Sequence, residues 1–486
     1  MIAKKGFIFL FLLISVALFL TVPQTLLFYD APEFVRIISK SGLCQSLALG
    51  HQPIHPLFLA VLWLISRLLR FFRGVSWQYS ANLSAFIFGI ISLSLFLQLS
   101  KSFLKEKESY LALLIFSLFP AVWIINTNLM VESLLLTLFL LSSLLFLRFI
   151  KKPRKLNAFL YILSVVAMLA VHIQAVFWLP ALFSFPLLLK PRRKQSQRKS
   201  LVILLVLSSF AVLVSVLLYG LIFSLSGQNV ALRLRELFFA RLGEHFDFLT
   251  ILGIFRMLRN FSLSLLRGFG SLTPIVILII VFLKRKERFF LLGCLILMVS
   301  ILIPGAVWTG DFMMRRIVFA GVLFSLLIVQ RFSKKAVFLV LYLLPIVLEN
   351  GLLYVSTREN MPLVLMGRLE ENLPPGNVLI QTHYLQPFTF YDGKIFWVGQ
   401  DNLQSIENFF RQNNKVFLDF QAVLSPYMLY VGNNFHITSL GRFGVSETKE
   451  LFKDYIFDLA VIENLGKRIF VYSFQKRGAF GHRRRR

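Results

Sequence analysis

Residues 130–171 read MVESLLLTLFLLSSLLFLRFIKKPRKLNAFLYILSVVAMLAV. Two apolar runs, 130–150 and 156–171, are parted by a short loop carrying Lys151, Lys152, Arg154 and Lys155. About 20 apolar residues are needed to cross a bilayer as a helix, and both runs are near that length. Helices are the open-ended structures that satisfy their own backbone in lipid. A membrane barrel would show alternating segments of about ten residues, and these runs are continuous.

The same figure recurs along the chain. Apolar segments fall near 6–23, 54–72, 79–99, 110–125, 173–189, 200–225, 268–283, 289–307, 315–331 and 335–356. The 486 residues are 57% hydrophobic and only 15% charged, with 53 Phe and a mean hydropathy of +0.74. Soluble domains carry about 25% charged residues, so the expected fold class is an α-helical polytopic membrane protein of about 11–12 hydrophobic helices. The net charge of +29 does not point to nucleic acid. Its Lys and Arg cluster in short loops, the pattern that marks cytoplasmic loops and contact with anionic membrane lipid.

Residues 1–5 followed by an apolar run to about Val22 carry no small-x-small cleavage site, which reads as an uncleaved anchor with a cytoplasmic N-terminus. From residue 150 onward the loops alternate: 151–155, 190–199, 284–288 and 331–335 inside; His172, 226–267, 306–314 and everything after about 357 outside. Before residue 150 both 66–73 and 101–107 look cytoplasmic, so one segment between 79 and 125 is expected not to cross. Cys44 and Cys294, with no Cys-x-x-Cys, form neither a disulfide framework nor a zinc ribbon.

Residues 1–356 thus read as a polytopic domain with two long outer loops, 24–53 and 226–267. The second has apolar residues at helical spacing beside Arg, the pattern of helices lying along a membrane surface. Residues 357–486 read as a small extracytoplasmic α/β soluble domain. Its strands are expected at 378–380, 415–420, 459–462 and 468–472, and its helices at 402–412 and 446–456.

The candidate chemistry lies on the outer side. Asp30 and Glu33, three apart just beyond the first segment, share one face if helical. Either they cap a surface helix, or one has a raised pKa and takes a proton from an acceptor hydroxyl. His51 and His55 close the same loop, with Pro56 at a helix start. They suit a phosphate, or a structural role. Ligation of a divalent metal with the nearby carboxylates is possible in kind, but their spacing matches no standard zinc motif and no metal site is assigned. Glu132 sits at an outer helix mouth, a functional position or a carboxylate favoured by the helix dipole. His172 sits at another such junction, where a lone histidine usually serves a structural hydrogen bond. Arg233 lies in the second long loop. Arg315 and Arg316 open an outer helix against the charge rule, either for a phosphate or to pair with Asp311. Together these residues suit a site that takes a lipid-linked phosphate from the bilayer and an acceptor from outside.

This layout resembles the GT-C membrane glycosyltransferases, with their acidic pair in a long first outer loop and a further acidic residue at an outer helix mouth. The branch it is most similar to is the protein O-mannosyltransferase-like proteins, whose first loop reads D-x-G-E-[FL] and then H-P-P-G-Y-P-L. Here the stretches are Asp30-Ala31-Pro32-Glu33-Phe34 and His51-Gln52-Pro53-Ile54-His55-Pro56-Leu57. The branch pattern F-S-x-x-x-W before an acidic residue is echoed by Phe116, Ser117, Trp123 and Glu132, although the spacing from Trp123 to Glu132 differs. The resemblance covers roughly residues 1–190 in its motifs and the remainder in its layout.

The resemblance implies inverting transfer of a mannose-like hexose from a polyprenyl-phosphate-linked donor to an extracytoplasmic acceptor, whether protein, glycan or lipid. Asp30 would be the general base. Glu33 and Glu132 would orient acceptor or sugar, and Arg315, Arg316, His51 and Arg233 would stabilise the leaving phosphate. Two further readings fit many helices: a transporter or lipid flippase, with charges at mid-membrane and repeated halves, and a non-catalytic membrane assembly protein.

Overall fold

The structure is a computed structural model. It describes residues 2–23, 31–47, 55–72, 75–183, 185, 194–239, 251–277, 315 and 317–358, together with seven strands between 378 and 476. The chain divides into two compact units: Met1–Gln24 with Ile37–Leu352, and Thr25–Arg36 with Leu353–Arg486.

The first unit is helical. Its elements are α1 (Ile2–Leu20), α2 (Ala31–Lys40, which begins in the second unit), α3 (Leu43–Ser46), α4 (Pro56–Arg70), α5 (Trp77–Ser100), α6 (Glu106–Leu118), α7 (Pro120–Thr127), α8 (Val131–Lys151) and α9 (Lys155–Val171). A 3-10 helix over Ile173–Trp178 leads into α10 (Leu179–Leu182), and then come α11 (Lys194–Leu225), α12 (Val230–Phe239), α13 (Ile251–Phe269), α14 (Ala320–Phe332) and α15 (Ala336–Arg358). Among the described residues three helices are long and apolar enough to cross a membrane: Trp77–Ser100, Val131–Lys151 and Leu201–Leu225. Of the segment expected near 268–283 the structure describes 268–277, and the segment expected near 289–307 lies outside the described residues.

Local chemistry accounts for the boundaries. Ser76 caps α5 by accepting from the Tyr79 amide at 3.1 Å. The Glu108 carboxylate accepts from the Lys105 amide at 3.1 Å and closes the first turn of α6. Pro120 has no amide hydrogen and holds Phe119 extended (φ −61°, ψ 128°), so the run expected as one segment over 110–125 breaks there and bends by 70°. The run expected over 173–189 also departs from one helix, passing through the 3-10 turn before Pro180 enters the first turn of α10. The long loop 226–267 holds α12 and α13. The latter stops at Gly270, whose φ of 86° is open to glycine and strained for other residues.

Side-chain hydrogen bonds set how the helices run. The Thr137 hydroxyl donates to the Phe88 carbonyl at 3.1 Å and meets Ser92 at 2.8 Å, while the Asn82 Oδ1 accepts from the Leu129 amide at 2.9 Å. Residues 82, 88 and 92 therefore pass 129 and 137 in the same order, and α5 and α8 run parallel. Ser142 bonds Ser164 at 2.9 Å across the antiparallel α8–α9 hairpin. Tyr161 meets Ser208 at 2.8 Å and Tyr219 donates to the Leu169 carbonyl at 2.9 Å, so α9 and α11 run parallel. Asn350 of α15 donates to the Leu118 carbonyl at the α6 break.

The outcome is a bundle with two chemically distinct ends. At one end lie the basic turns 101–107, 151–155 and 331–335. Ser333 donates to Glu108 at 3.2 Å, and Phe103 packs on Phe185 with ring centroids 5.9 Å apart. At the other end lie Pro23, Leu129, the start of α8 and the end of α9. Asn82 ties this end together, donating from Nδ2 to the Pro23 carbonyl at 3.0 Å.

The second unit contains a five-stranded sheet of order β2-β1-β3-β7-β6, from β1 (Val378–Thr382), β2 (Ile395–Val398), β3 (Lys415–Asp419), β6 (Tyr455–Asn464) and β7 (Lys467–Lys476). β1 pairs parallel to β2 and β3; β7 pairs antiparallel to β3 and β6. β4 (Leu429–Tyr430) and β5 (His436–Ile437) form a separate two-stranded pair. The expected strands lie on β1, β3, β6 and β7. Residues 402–412 lie outside the described residues, as does most of 446–456, whose last two residues open β6.

Candidate active site

Four ionisable residues named from the sequence are buried in the first unit, and the fold joins them in two pairs. Glu132 stands in the first turn of α8, where the helix dipole favours a carboxylate, while Arg148 and Lys151 occupy the last turn. Arg315, seventeen residues before the end of α14, reaches it: its Nε lies 3.5 Å from Glu132 Oε1, with the residues 8% and 2% exposed. Desolvating such a pair costs several kcal/mol per ion, so it is weak evidence for stability.

The second pair is His55 and His172, both 4% exposed, with ring centroids 4.7 Å apart. His55 Nδ1 lies 3.0 Å from the Val171 carbonyl. A carbonyl oxygen only accepts, so Nδ1 carries the hydrogen. Pro56 opens α4 directly after His55, which sets the imidazole at a helix start.

Both pairs lie at the end of the bundle away from the basic turns, since α8 begins and antiparallel α9 finishes there. The 3-10 helix after His172 carries Trp178, which packs on Phe319 at 4.7 Å and edge-on to Phe139 at 5.8 Å. Phe139 and Phe319 are themselves 5.7 Å apart. An apolar aromatic floor thus links the histidine side of the site with the chain that leads from Arg315 into α14.

Around Glu132 the fold buries amides that sequence reading did not single out. Asn126 is fully buried, and neither of its side-chain polar atoms has a hydrogen-bond partner among the described residues; Asn128 Oδ1 and Glu132 Oε2 share that condition. Buried polar atoms are usually paired, and these stand at the junction of α7 and α8. The clue present in the sequence is three asparagines, 82, 126 and 128, at the edges of apolar runs.

Glu33, in the first turn of α2, belongs to the second unit, and Arg233 is half-exposed on α12. Asp30, His51, Asp311 and Arg316 lie outside the described residues. Among the described residues no three of His, Cys, Asp and Glu gather in a way that would hold a metal ion.

Residues 53–219 match the family described as dolichyl-phosphate-mannose-protein mannosyltransferase. No curated protein matches the chain in sequence. Among solved structures, ArnT from Cupriavidus metallidurans in the apo state superposes with a TM-score of 0.58 at 10% identity, covering 97% of this chain and 98% of ArnT. ArnT bound to undecaprenyl phosphate gives 0.58 at 11% identity, covering 96% and 98%. The apo oligosaccharyltransferase of Archaeoglobus fulgidus gives 0.53 at 12% identity, covering 95% of this chain and 79% of that enzyme. The fold is that of the GT-C membrane glycosyltransferases. The family match covers the segment that holds Glu132, His55 and His172, about a third of the chain, and the fold is shared with these membrane enzymes.

Proposed function

We propose that the protein moves a mannose-like hexose from a polyprenyl-phosphate donor to an extracytoplasmic acceptor hydroxyl, inverting the anomeric centre. The observation that carries this reading is the buried Glu132–Arg315 pair at the helix junction opposite the basic turns, within a chain matched by a mannosyltransferase family. Arg binds phosphate through a planar fork of N–H donors, and a lipid phosphate is an anion that arrives from the bilayer. The ArnT structure with undecaprenyl phosphate supports the same class of carrier.

In this reading Asp30 takes the proton from the acceptor hydroxyl as its oxygen attacks the anomeric carbon. The bond from that carbon to the phosphate oxygen breaks in line, and the lipid phosphate leaves with the electron pair. Arg315, Arg316, His51 and Arg233 offset its charge. A phosphate is a good leaving group at neutral pH, so no dedicated acid is needed. Glu33, Glu132, His55, His172 and Asp311 orient acceptor and sugar. The basic turns face the cytoplasm and the site faces outward, with the N-terminus inside and residues 357–486 outside.

The test is transfer from polyprenyl-phosphate-mannose by purified protein in lipid nanodiscs. Asp30→Asn is expected to lower the rate by about 100-fold or more, the usual range for losing a general base. Full activity in that variant removes Asp30 from the mechanism. Buried charges at mid-bundle would have favoured transport. Among the described residues the buried Asp, Glu, Lys, Arg and His are Glu132, Arg315, His55 and His172, all at helix mouths.

A further inference from the structure

α4 is apolar enough in sequence to have been read as a crossing segment ending in a cytoplasmic loop, yet both of its ends meet the same end of the bundle. At its start, His55 binds the carbonyl of Val171, the last residue of α9. At its finish, Arg67 and Arg70 lie over the ring of Trp77, with Cζ 5.0 and 4.1 Å from the centroid. Trp77 opens α5 only five residues before Asn82, which binds Pro23 and Leu129 at that same end. Midway, Trp63 donates to the Ser41 carbonyl at 3.3 Å. With 15 residues α4 is about 22 Å long at 1.5 Å per residue, shorter than a bilayer core of about 30 Å.

Its surface has the character of an interfacial helix. Phe58, Leu59, Leu62 and Ser66 are buried against the bundle. Leu64, Leu68, Phe71 and Phe72 are exposed, Phe71 at 87%. Arg67 and Arg70 are exposed beside them and make no ion pair with a described acidic residue. Two guanidinium groups resting on one indole repel each other. Stacking occupies their faces and leaves their edge N–H groups free to fork onto phosphate oxygens.

We propose that Arg67 and Arg70, braced on Trp77 at the extracytoplasmic end of the bundle, clamp the phosphate of an anionic phospholipid headgroup, with Phe71 and Phe72 in the acyl boundary. Exposed aromatics beside arginines match a phospholipid at the interface, where apolar and charged contacts are needed within one helix turn. The side assignment is shared with the proposed function; the placement of α4 relative to α8 is not.

Two experiments test it in the full-length protein with Cys44 and Cys294 replaced by Ser. Gly74→Cys and Lys152→Cys are labelled with a membrane-impermeant maleimide in intact and lysed cells. Opposite sides are expected, and labelling of both from one side would overturn the placement. If the sides are opposite but inverted, with residue 74 in the cytosol, the outward orientation of the site and the extracytoplasmic location of α4 fail, while its failure to cross stands. Second, a benzophenone amino acid in place of Phe71 is photolysed in nanodiscs of equimolar phosphatidylglycerol and phosphatidylcholine doped with undecaprenyl phosphate. A preference for phosphatidylglycerol of about ten-fold is expected from two basic contacts, and it is lost in Arg67→Gln/Arg70→Gln. Equal crosslinking to both phospholipids, a preference that survives the double substitution, or preferential crosslinking to undecaprenyl phosphate would overturn the headgroup assignment.

Discussion

At the residue scale the chemistry concentrates on Glu132 and Arg315. Each is costly to bury, and each is tolerated because the other is 3.5 Å away. Breaking a buried pair by neutralising one partner destabilises by about 3–5 kcal/mol. Glu132→Gln and Arg315→Gln are each expected to lower the unfolding midpoint and to slow sugar transfer by at least about 100-fold. The double variant is expected to recover much of the stability and none of the activity, because it removes both charges together. Thermal unfolding beside transfer assays reads the two effects separately. Recovery of activity in the double variant would assign the pair a purely structural role. Both residues stood out in the sequence as charges at the mouths of apolar runs, but their pairing did not: 183 positions separate them, and Asp311 was the nearer candidate for Arg315.

At the element scale the governing contacts are small residues and hydroxyls where helices approach closely. A Cβ on Gly89 of α5 would lie 2.7 Å from the Asn126 Cβ, inside contact distance. Gly89→Ala must push α7 or its asparagine aside, and overpacking of this kind costs about 1–3 kcal/mol. A lower melting temperature together with slower transfer is expected, because Asn126 lies beside the site. The Ser92–Thr137 bond between α5 and α8 is different in scale. Interhelical hydrogen bonds in membranes average about 0.6 kcal/mol, so Ser92→Ala is expected to leave the midpoint nearly unchanged. The helices themselves were legible from their apolar runs. The break at Pro120 and the 3-10 turn over Ile173–Trp178 were less so, since hydropathy counts apolar residues and is blind to where a proline interrupts their backbone.

At the scale of the whole molecule the bundle separates a basic end from an end with buried, paired charges and, among the described residues, the unpaired amide of Asn126. A polyprenyl phosphate that binds the folded protein must stabilise it by mass action, about 2.7 kcal/mol at a hundred times Kd. Undecaprenyl phosphate is expected to raise the melting temperature of the purified protein, and Arg315→Gln is expected to blunt the shift. An unaltered shift in that variant would place the phosphate elsewhere. The polarity of the bundle also explains the one inconsistent loop. Arg67 and Arg70 follow an apolar stretch exactly as cytoplasmic arginines do, but their partners Trp77 and, through α5, Asn82 lie at the opposite end.

The sequence by itself determined that this chain is a helical membrane protein, where most helices begin and end, and which acidic and basic residues lie at helix mouths. Those features depend on local hydrophobicity, charge and spacing. Only the tertiary structure decided that Glu132 meets Arg315, that His55 meets His172, that α5 runs parallel to α8 and that α4 returns to the end it started from. Each of these depends on contacts between residues distant in the chain, where packing and desolvation, not local preference, select the partner.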